Sequence, residues 1–290
     1  MTRKMLVVGK DGTLGSEFVR ALTDNELYDS TFTGRSDLDI TNQEAVDRFI
    51  AEGLFDVIIN CVAYNQVDLA ENDPAPALDV NRDGVRNLAQ AAEKIGATFV
   101  NFSTNYVFDG TDELGYTESD APHPINEYGR SKLWGEYEAF TACSRVYNIR
   151  TFGLFGRPGI GQTSKKNFID QMILRAANQN EVVAPNDQFG NPTYTADLVD
   201  ATMDLLGSDE GWCFSTYHLV NEGGAVSRYV LAEEVYKQLG ISTPLRAVTA
   251  ESLGEVASRP KHGILLNTDG PSMPHWKDAL ARYLGEVKIE

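Results

Sequence analysis

Short apolar runs alternate with segments of helical periodicity through the first 150 residues. Strands are predicted at Met5–Val8, Tyr28–Thr33, Phe55–Ile59, Thr98–Ser103 and Arg145–Arg150, and Phe55–Ile59 is expected to be buried. Between the runs, apolar residues recur every three or four positions, as at Leu14, Phe18, Val19 and Leu22, which predicts amphipathic helices. Strand and helix in strict alternation require a parallel sheet with helices on both faces. We therefore predict an α/β fold with a Rossmann-type, doubly wound parallel sheet.

Three further helices are predicted within the same region. Thr41 is the expected N-cap of one, and a long helical stretch is expected from about Glu71 to Ile95, with Asn81 inside it. Asn81 could bridge this helix to a strand or be an ordinary helical asparagine. The third helix starts near Tyr128 and ends near Thr141.

The alternation loosens after Arg150. Helices are predicted at about Lys166–Asn178, Thr195–Leu206, Val226–Leu239 and Trp276–Leu284, with strands at Glu181–Ala184 and Tyr217–Val220. We predict a dinucleotide-binding domain over residues 1–150, completed by about 185–206. Residues 151–290 are expected to form mostly a smaller, interleaved substrate-binding lobe.

A glycine-rich motif joins the first strand to the first helix. Gly9, Gly12 and Gly15 are spaced as Gly-x-x-Gly-x-x-Gly directly after Val8. In this setting the glycines permit a tight turn and close backbone approach, and the helix N-terminus holds a pyrophosphate. The motif predicts a dinucleotide site.

The end of the second strand indicates which dinucleotide binds. NAD-specific sites usually place an acidic residue there to bond the ribose 2′-hydroxyl, whereas this chain has Gly34 and Arg35. A guanidinium suits a 2′-phosphate, so NADPH is expected and NADH stays open. The alternative for Arg35 is a solvated loop arginine, and Asp39 with Ile40 could instead cover the adenine.

Tyr128 and Lys132 stand four apart on one helix and therefore face the same way. An ammonium beside a phenol favours the phenolate, so the tyrosine becomes a usable proton donor or acceptor. By itself the pair is weak evidence for an active site, because a half-buried tyrosine and a solvated lysine would give the same sequence pattern. The ends of three strands, at Gly9, Val62 and Thr104, are expected to converge on one crevice with it.

Composition narrows the function classes. The formal net charge of -17 argues against binding to nucleic acid or to an acidic membrane surface. No apolar stretch approaches a membrane span, and the N-terminus carries no leader pattern. The three cysteines and four histidines form no metal-ligand pattern, so we expect a cytoplasmic protein without a metal site.

These residues resemble the extended short-chain dehydrogenase/reductase superfamily, and more closely the dTDP-4-dehydrorhamnose reductase family. The similar segments span nearly the whole chain: Gly9–Gly15, Asn60–Glu71, Ser103–Gly110, Tyr116–Glu118 with Asp120, Tyr128–Glu136, Asp187–Thr193 and Arg259–Pro260. The resemblance implies reduction of a 4-keto nucleotide-diphospho-sugar, most specifically dTDP-4-dehydro-L-rhamnose to dTDP-L-rhamnose. Tyr128 would protonate the forming alkoxide, Lys132 would lower its pKa and bond the nicotinamide ribose, and Thr104 would orient the carbonyl.

With the residues argued above, the resemblance gives a full predicted site. The cofactor residues are Gly9, Lys10, Asp11, Gly12, Thr13, Leu14, Gly15, Arg35, Ser36, Asp39, Ile40, Val62, Ala63, Tyr64, Asn65, Tyr128 and Lys132. The substrate residues are Val67, Thr104, Asn105, Tyr106 and Gly153. The expected partner is a nucleotide sugar, and a homodimer is allowed for.

Three departures from the family pattern fall near the sugar. Asn105 replaces an aspartate after Ser-Thr, Asn65 stands where threonine is usual, and Gly153 holds the place of a tryptophan. A stacking wall for the sugar would then be missing unless Phe152 or Phe155 supplies it. These changes leave hydride chemistry untouched and bear on the identity of the sugar.

Two other functions stay open at this point. An epimerase or dehydratase of the same superfamily would keep NAD tightly bound and regenerate it each turnover. Dehydratases need a further acid/base pair, and Asn105 followed by Tyr106 argues against one. A non-catalytic relative would bind cofactor and regulate a partner, as the regulatory beta subunit of methionine adenosyltransferase does. Intact Thr104, Tyr128 and Lys132 argue against that alternative.

Overall fold

The structure is a computed structural model that describes residues 2–161, 166–207 and 212–286. Its centre is a six-stranded sheet in the order β10-β5-β4-β3-β1-β2. The strands are β1 (Arg3–Val8), β2 (Tyr28–Thr33), β3 (Val57–Asn60), β4 (Thr98–Thr104), β5 (Val146–Thr151) and β10 (Thr216–His218), and every pair is parallel. The predicted doubly wound α/β fold is confirmed.

Helices cover both faces of this sheet. They are α1 (Thr13–Leu22), α2 (Gln43–Gly53), α3 (Val67–Asn72), α4 (Ala75–Leu78), α5 (Val85–Ile95), α6 (Glu127–Ala142) and α8 (Thr195–Gly207). Alternate residues of β1 enter opposite cores, as the two-residue repeat of a strand requires. Met5 and Val7 pack with α1 and α8, while Leu6 and Val8 pack with α2 and α5.

The helix expected from about Glu71 to Ile95 is interrupted. Pro74 precedes α4 and Pro76 lies within its first turn, where no intrahelical donor is lost. A π-helical segment, Asp79–Gly84, then joins α4 to α5. Such segments occur mostly as bulges and often at functional sites. Here the bulge carries the buried Asn81.

The predicted N-cap of α2 was off by one residue. Asn42, not Thr41, caps the helix, because its side-chain oxygen accepts a hydrogen bond from the Ala45 N–H at 3.1 Å. Thr41 instead donates its N–H and hydroxyl to the Asp39 carboxylate. Asparagine is as strong a cap as threonine or stronger, so propensity alone could have chosen either position.

The remaining elements build the smaller lobe. They are β6 (Leu154–Phe155), α7 (Phe168–Asn178), β7 (Val182–Pro185), β8 (Phe189–Gly190), β9 (Thr193–Tyr194), β11 (Val226–Ser227), α9 (Arg228–Leu239), β12 (Leu245–Val248) and α10 (Trp276–Glu286). They surround a third core that includes Phe155, Tyr194 and Tyr283. The helix predicted from Lys166 begins at Phe168, and its capping residue is Asn167. α8 and β10 return to the main sheet, while the predicted domain limits stay a prediction.

A row of asparagines crosses the buried sheet. Asn60 donates to Asn101 at 3.2 Å, Asn101 donates to Asn148 at 3.0 Å, and Asn148 donates to the Thr216 hydroxyl at 3.3 Å. Burying an amide without partners is costly, and this chain of bonds removes that cost. The row ends beside the crevice, because the Asn60 side-chain oxygen accepts the Val62 N–H at 3.0 Å.

Candidate active site

The glycine-rich turn lies at the carboxyl edge of the sheet, where two of its three glycines are sterically required. Gly9 has φ +94° and its backbone lies against Cys61 and Val62, and a Cβ on Gly15 would lie 2.0 Å from the Gly9 carbonyl oxygen. At Gly12 a Cβ would meet only the Gly9 oxygen, at 3.6 Å. Gly12 is also the N-cap of α1 and offers no side-chain cap. The first N–H groups of α1 can therefore bind an anion.

The end of β2 places a positive side chain beside this turn. Arg35 is exposed, whereas Lys10 forms a 2.6 Å ion pair with Asp37. The Asp39 carboxylate is also already engaged, because it accepts two hydrogen bonds from Thr41. These bonds lower the pKa of Asp39, and the Arg35 charge lowers it further. Arg35 is thus the group at this strand end that suits a 2′-phosphate.

The other predicted cofactor residues around the turn differ in exposure. Asp11 contacts the loop after β6, because its carbonyl accepts the Gly161 N–H at 3.1 Å. Ser36 is exposed, while Leu14 is buried in the core. The Ile40 side chain is 3% exposed and belongs to the core beneath α5. Any contact that Ile40 makes with an adenine must therefore involve its backbone.

The loop after β3 is held by a buried asparagine on the π-helical segment. The Asn81 side-chain oxygen accepts the Tyr64 N–H at 2.9 Å, and its amide nitrogen donates to the Tyr64 carbonyl at 3.0 Å and to the Ser131 hydroxyl at 2.9 Å. Asn81 does bridge, as one of its two alternatives expected, but its partners are the loop after β3 and α6 and not a strand. Ala63 and Asn65 on this loop are exposed, and Val67 begins α3.

Thr104 and Tyr128 meet at the end of β4. The Thr104 oxygen accepts the Tyr106 N–H at 3.2 Å and has a side-chain hydrogen bond with Tyr128 that partly offsets the effect of burial. Burial nevertheless raises the pKa of Tyr128 above its usual value. A phenol with a raised pKa keeps its proton near neutral pH. Tyr128 is therefore suited to donate that proton to an oxygen that gains negative charge.

Lys132 is buried, not solvated. Its ammonium donates a 2.6 Å hydrogen bond to the Phe102 carbonyl, and burial lowers the pKa of Lys132 to about 8. The expectation that Lys132 lowers the pKa of Tyr128 was wrong for this arrangement. The ammonium is directed at the β4 backbone, and desolvation of the phenol dominates.

Of the two phenylalanines considered for a stacking wall, Phe152 lies at the crevice and Phe155 does not. Phe152 lies beside Tyr106, with ring centroids 6.1 Å apart, and Tyr106 in turn packs edge-on against Tyr128 at 5.5 Å. Phe155 is 1% exposed and stacks on Tyr194 in the lobe core. Gly153 is exposed with φ +63°, a conformation that disfavours a tryptophan there.

Two arginines from the lobe lie beyond Tyr106. A small cavity is lined by Tyr106, Phe152, Arg228 and Arg259, among others. Arg259 is held by the Asp68 carboxylate through two bonds of 3.1 and 3.0 Å, whereas Arg228 has a looser 3.4 Å contact with Glu255. Asp68 and Arg228 were not predicted. Asp68 lies within the matching Asn60–Glu71 segment, but nothing in the sequence distinguishes Arg228.

Some kinds of site are not found in the parts of the chain that the structure covers. Within residues 2–161, 166–207 and 212–286, no three His, Cys, Asp or Glu side chains are grouped as metal ligands would be. In the same ranges no helix has the length and apolar character needed to cross a membrane.

Comparison with known proteins gives a consistent family assignment. A model of the family described as the RmlD substrate binding domain matches residues 3–289. The dTDP-4-dehydrorhamnose reductase of Streptomyces griseus is 35% identical over 96% of this chain and 91% of its own length. That of Mycobacterium tuberculosis H37Rv is 34% identical over 98% and 93%. The Bacillus anthracis dTDP-4-dehydrorhamnose reductase, solved in complex with NADP, superposes with a TM-score of 0.92 at 32% identity, over 99% of this chain and 100% of that one.

Proposed function

This chain belongs to the RmlD substrate binding domain family, and from this premise we propose that it is an NADPH-dependent oxidoreductase that reduces the 4-keto group of a nucleotide-diphospho-sugar. The proposed substrate is dTDP-4-dehydro-L-rhamnose and the product dTDP-L-rhamnose, a precursor for polysaccharide biosynthesis. The observation that carries the proposal is the meeting of Thr104, Tyr128 and Lys132 with the glycine-rich turn at one edge of the sheet.

The residues at this edge fit an NADPH molecule. Gly12 leaves open space over the uncapped first turn of α1, which suits a pyrophosphate. Arg35 suits the 2′-phosphate, and the NADP complex of the Bacillus anthracis relative supports the same cofactor. NADH stays open as a weaker alternative. The bound cofactor would supply hydride to C4 of the sugar.

The chain's own residues supply the proton and the geometry. Tyr128 is proposed to donate its phenolic proton to the C4 oxygen as negative charge develops there. Thr104, whose oxygen is already fixed by the Tyr106 N–H, would hold that oxygen in place. Lys132 would carry positive charge next to the nicotinamide ribose. Protonation of Tyr128 from solvent then restores the site.

Arg228 and Arg259 favour a diphosphate-bearing substrate. Both guanidinium groups act electrostatically on the Tyr106 hydroxyl, and Arg259 also hydrogen-bonds with it, in a chain whose overall charge is strongly negative. A second cavity of about 270 Å³ adjoins them and shares Phe152 and Arg228. We propose that the diphosphate lies at Arg228 and the nucleoside in this cavity.

A turnover assay tests the function. Purified protein is mixed with NADPH and, in turn, a panel of nucleotide-linked 4-keto-6-deoxyhexoses, and loss of NADPH absorbance is followed. We expect oxidation of NADPH with the dTDP-linked 4-keto sugar and formation of the 4-hydroxy product. Protein that carries stoichiometric NAD and never consumes NADPH would contradict the proposal and favour the epimerase or dehydratase alternative.

Two finer proposals concern assembly and location. A homodimer is supported by an exposed aromatic face on α6, where Trp134, Tyr137 and Phe140 are 52%, 53% and 43% exposed. Light scattering of the wild type and of Trp134→Ser tests it, and a monomeric wild type would contradict it. A cytoplasmic location is supported by three cysteines that are all free thiols.

A further inference from the structure

Asn105 is fully buried between the proposed reactive threonine and a loop of the smaller lobe. Its amide nitrogen donates a 2.7 Å hydrogen bond to the Gly263 carbonyl. Its side-chain oxygen accepts a hydrogen bond from the Thr104 hydroxyl at 3.3 Å. Asn105 is 2% exposed, so water does not compete for either bond.

The orientation of this amide follows from chemistry alone. A backbone carbonyl can only accept a hydrogen bond, so the atom of Asn105 that faces Gly263 must be the NH₂ group. The Asn105 oxygen is therefore turned toward Thr104. A Cβ on residue 263 would lie 2.2 Å from the Asn105 nitrogen, so glycine at 263 leaves room for the amide.

We propose that Asn105 is a positioning residue that acts through Thr104, and that this chain requires a neutral side chain at 105 because of the Gly263 carbonyl. The Thr104 oxygen is then fixed by the Tyr106 N–H and by Asn105. The inference rests on the proposed function, since Thr104 matters only if the crevice performs a reduction.

The proposal explains why asparagine stands where the resembling family has aspartate. An ionised carboxylate at 105 would set an oxygen against the Gly263 carbonyl oxygen, in a buried place where repulsion is poorly screened. It would also bind the Thr104 proton more strongly and withdraw it from a substrate oxygen. A protonated carboxyl would avoid both effects, because it donates to Gly263 through its O–H.

The pH dependence of the Asn105→Asp variant tests the proposed role of Asn105. Burial and the facing carbonyl should raise the pKa of the new carboxyl. We expect the ratio of kcat for Asn105→Asp to kcat for the wild type to be near one at the acidic end of the working range and to fall about tenfold or more as the carboxyl ionises. Asn105→Ala should lose activity by a factor that does not change with pH.

A second readout needs no substrate. A carboxyl whose folded-state pKa is raised costs no stability below its unfolded pKa of about 3.9, and the cost grows as pH rises to the folded pKa. The Tm of Asn105→Asp should therefore fall increasingly below that of the wild type over this interval. NADPH affinity should be unchanged, which checks that the crevice still folds.

Asn267→Asp is the matched control. Asn267 also donates to a backbone carbonyl, that of Pro271 at 2.7 Å, and accepts the Gly270 N–H at 2.9 Å. Gly270 and Pro271 border a cavity whose lining includes none of the crevice residues. The ratio of kcat for Asn267→Asp to kcat for the wild type should stay near one at every pH.

The possible outcomes distinguish failure of the Asn105 inference from failure of the proposed function. An Asn105→Asp enzyme that matches the wild type at every pH, or that loses activity by a pH-independent factor, would overturn the inference. If the wild type itself shows no turnover, the proposed function fails, while the pH-dependent Tm difference still tests the contact between Asn105 and Gly263. A Tm difference that does not change with pH would overturn that contact.

Discussion

Replacing Asn81 by alanine should weaken both the fold and the cofactor site. The change removes three hydrogen bonds, two to the Tyr64 backbone and one to the Ser131 hydroxyl. At a net value of about 1 kcal/mol each, the free energy of unfolding should fall by about 3 kcal/mol. Binding of NADPH must then order the loop after β3, and if that costs as much as one hydrogen bond, the Kd for NADPH should rise about fivefold.

Denaturant titration and NADPH fluorescence measure the two effects. Asn221→Ala is the matched control, because Asn221 is equally buried and makes three bonds, to the Tyr194 N–H, the Asp197 carboxylate and the Pro274 carbonyl, none of which involves the loop after β3. It should lose at least as much stability and keep the wild-type Kd. If Asn81→Ala bound NADPH as tightly as Asn221→Ala does, Asn81 would not hold the cofactor loop.

Three further predictions address the chemistry. Tyr128→Phe should reduce turnover by about 10²-fold or more while sparing NADPH binding. The control Tyr137→Phe, on the exposed face of the same helix, should leave turnover unchanged. An unaltered rate in Tyr128→Phe would remove Tyr128 from the mechanism. Because burial lowers the pKa of Lys132 to about 8, from 10.5 in the unfolded chain, turnover should fall above about pH 8. Over the same interval the unfolded chain binds more protons, so the Lys132 contribution to stability should rise with pH. Denaturant titrations in a pH series should show that Lys132→Met lacks this rise, and an equal rise would refute the assignment. Arg35→Ala should raise the Kd for NADPH about tenfold and leave the Kd for NADH unchanged. The control is Arg48→Ala, which replaces an exposed arginine on α2. An equal change in Kd for both cofactors would contradict the 2′-phosphate contact.

The main sheet was predictable because apolar, aromatic and β-branched residues concentrate in short runs at its strands. The strand expected at Tyr28–Thr33 has those bounds, and Thr98–Ser103 differs from β4 by one residue. The π-helical segment could not be predicted, since the apolar spacing from Glu71 to Ile95 fits an unbroken helix. What distinguishes that segment is the Asn81 contact with Tyr64, a bond between residues in different elements, and such bonds leave no periodic signal.

The site was predictable where a residue type implies its chemistry. The glycines and the pairing of Tyr128 with Lys132 could be located from spacing and from their place in the chain. The direction of the Tyr128 pKa shift could not be predicted, because burial of the phenol and the nearby Tyr106 raise it, and both arise only in the fold. The importance of Arg228 was hidden for the same reason, since its contact with Glu255 joins two separate parts of the lobe.

Neutral amides hold several of the loops around the crevice. Asn60, Asn81, Asn105 and Asn126 are all at most 2% exposed, and each joins an element end to a loop. Asn126, for example, accepts the Gly129 N–H at 2.7 Å as the cap of α6 and donates to the Ser258 carbonyl at 2.7 Å. An amide can satisfy a backbone donor and a backbone acceptor at once, which a carboxylate or an ammonium cannot. These amides add no charge to a poorly solvated site, so the charged groups there, such as Lys132, dominate its electrostatics. The asparagine at position 105, which departs from the family pattern, is consistent with this arrangement.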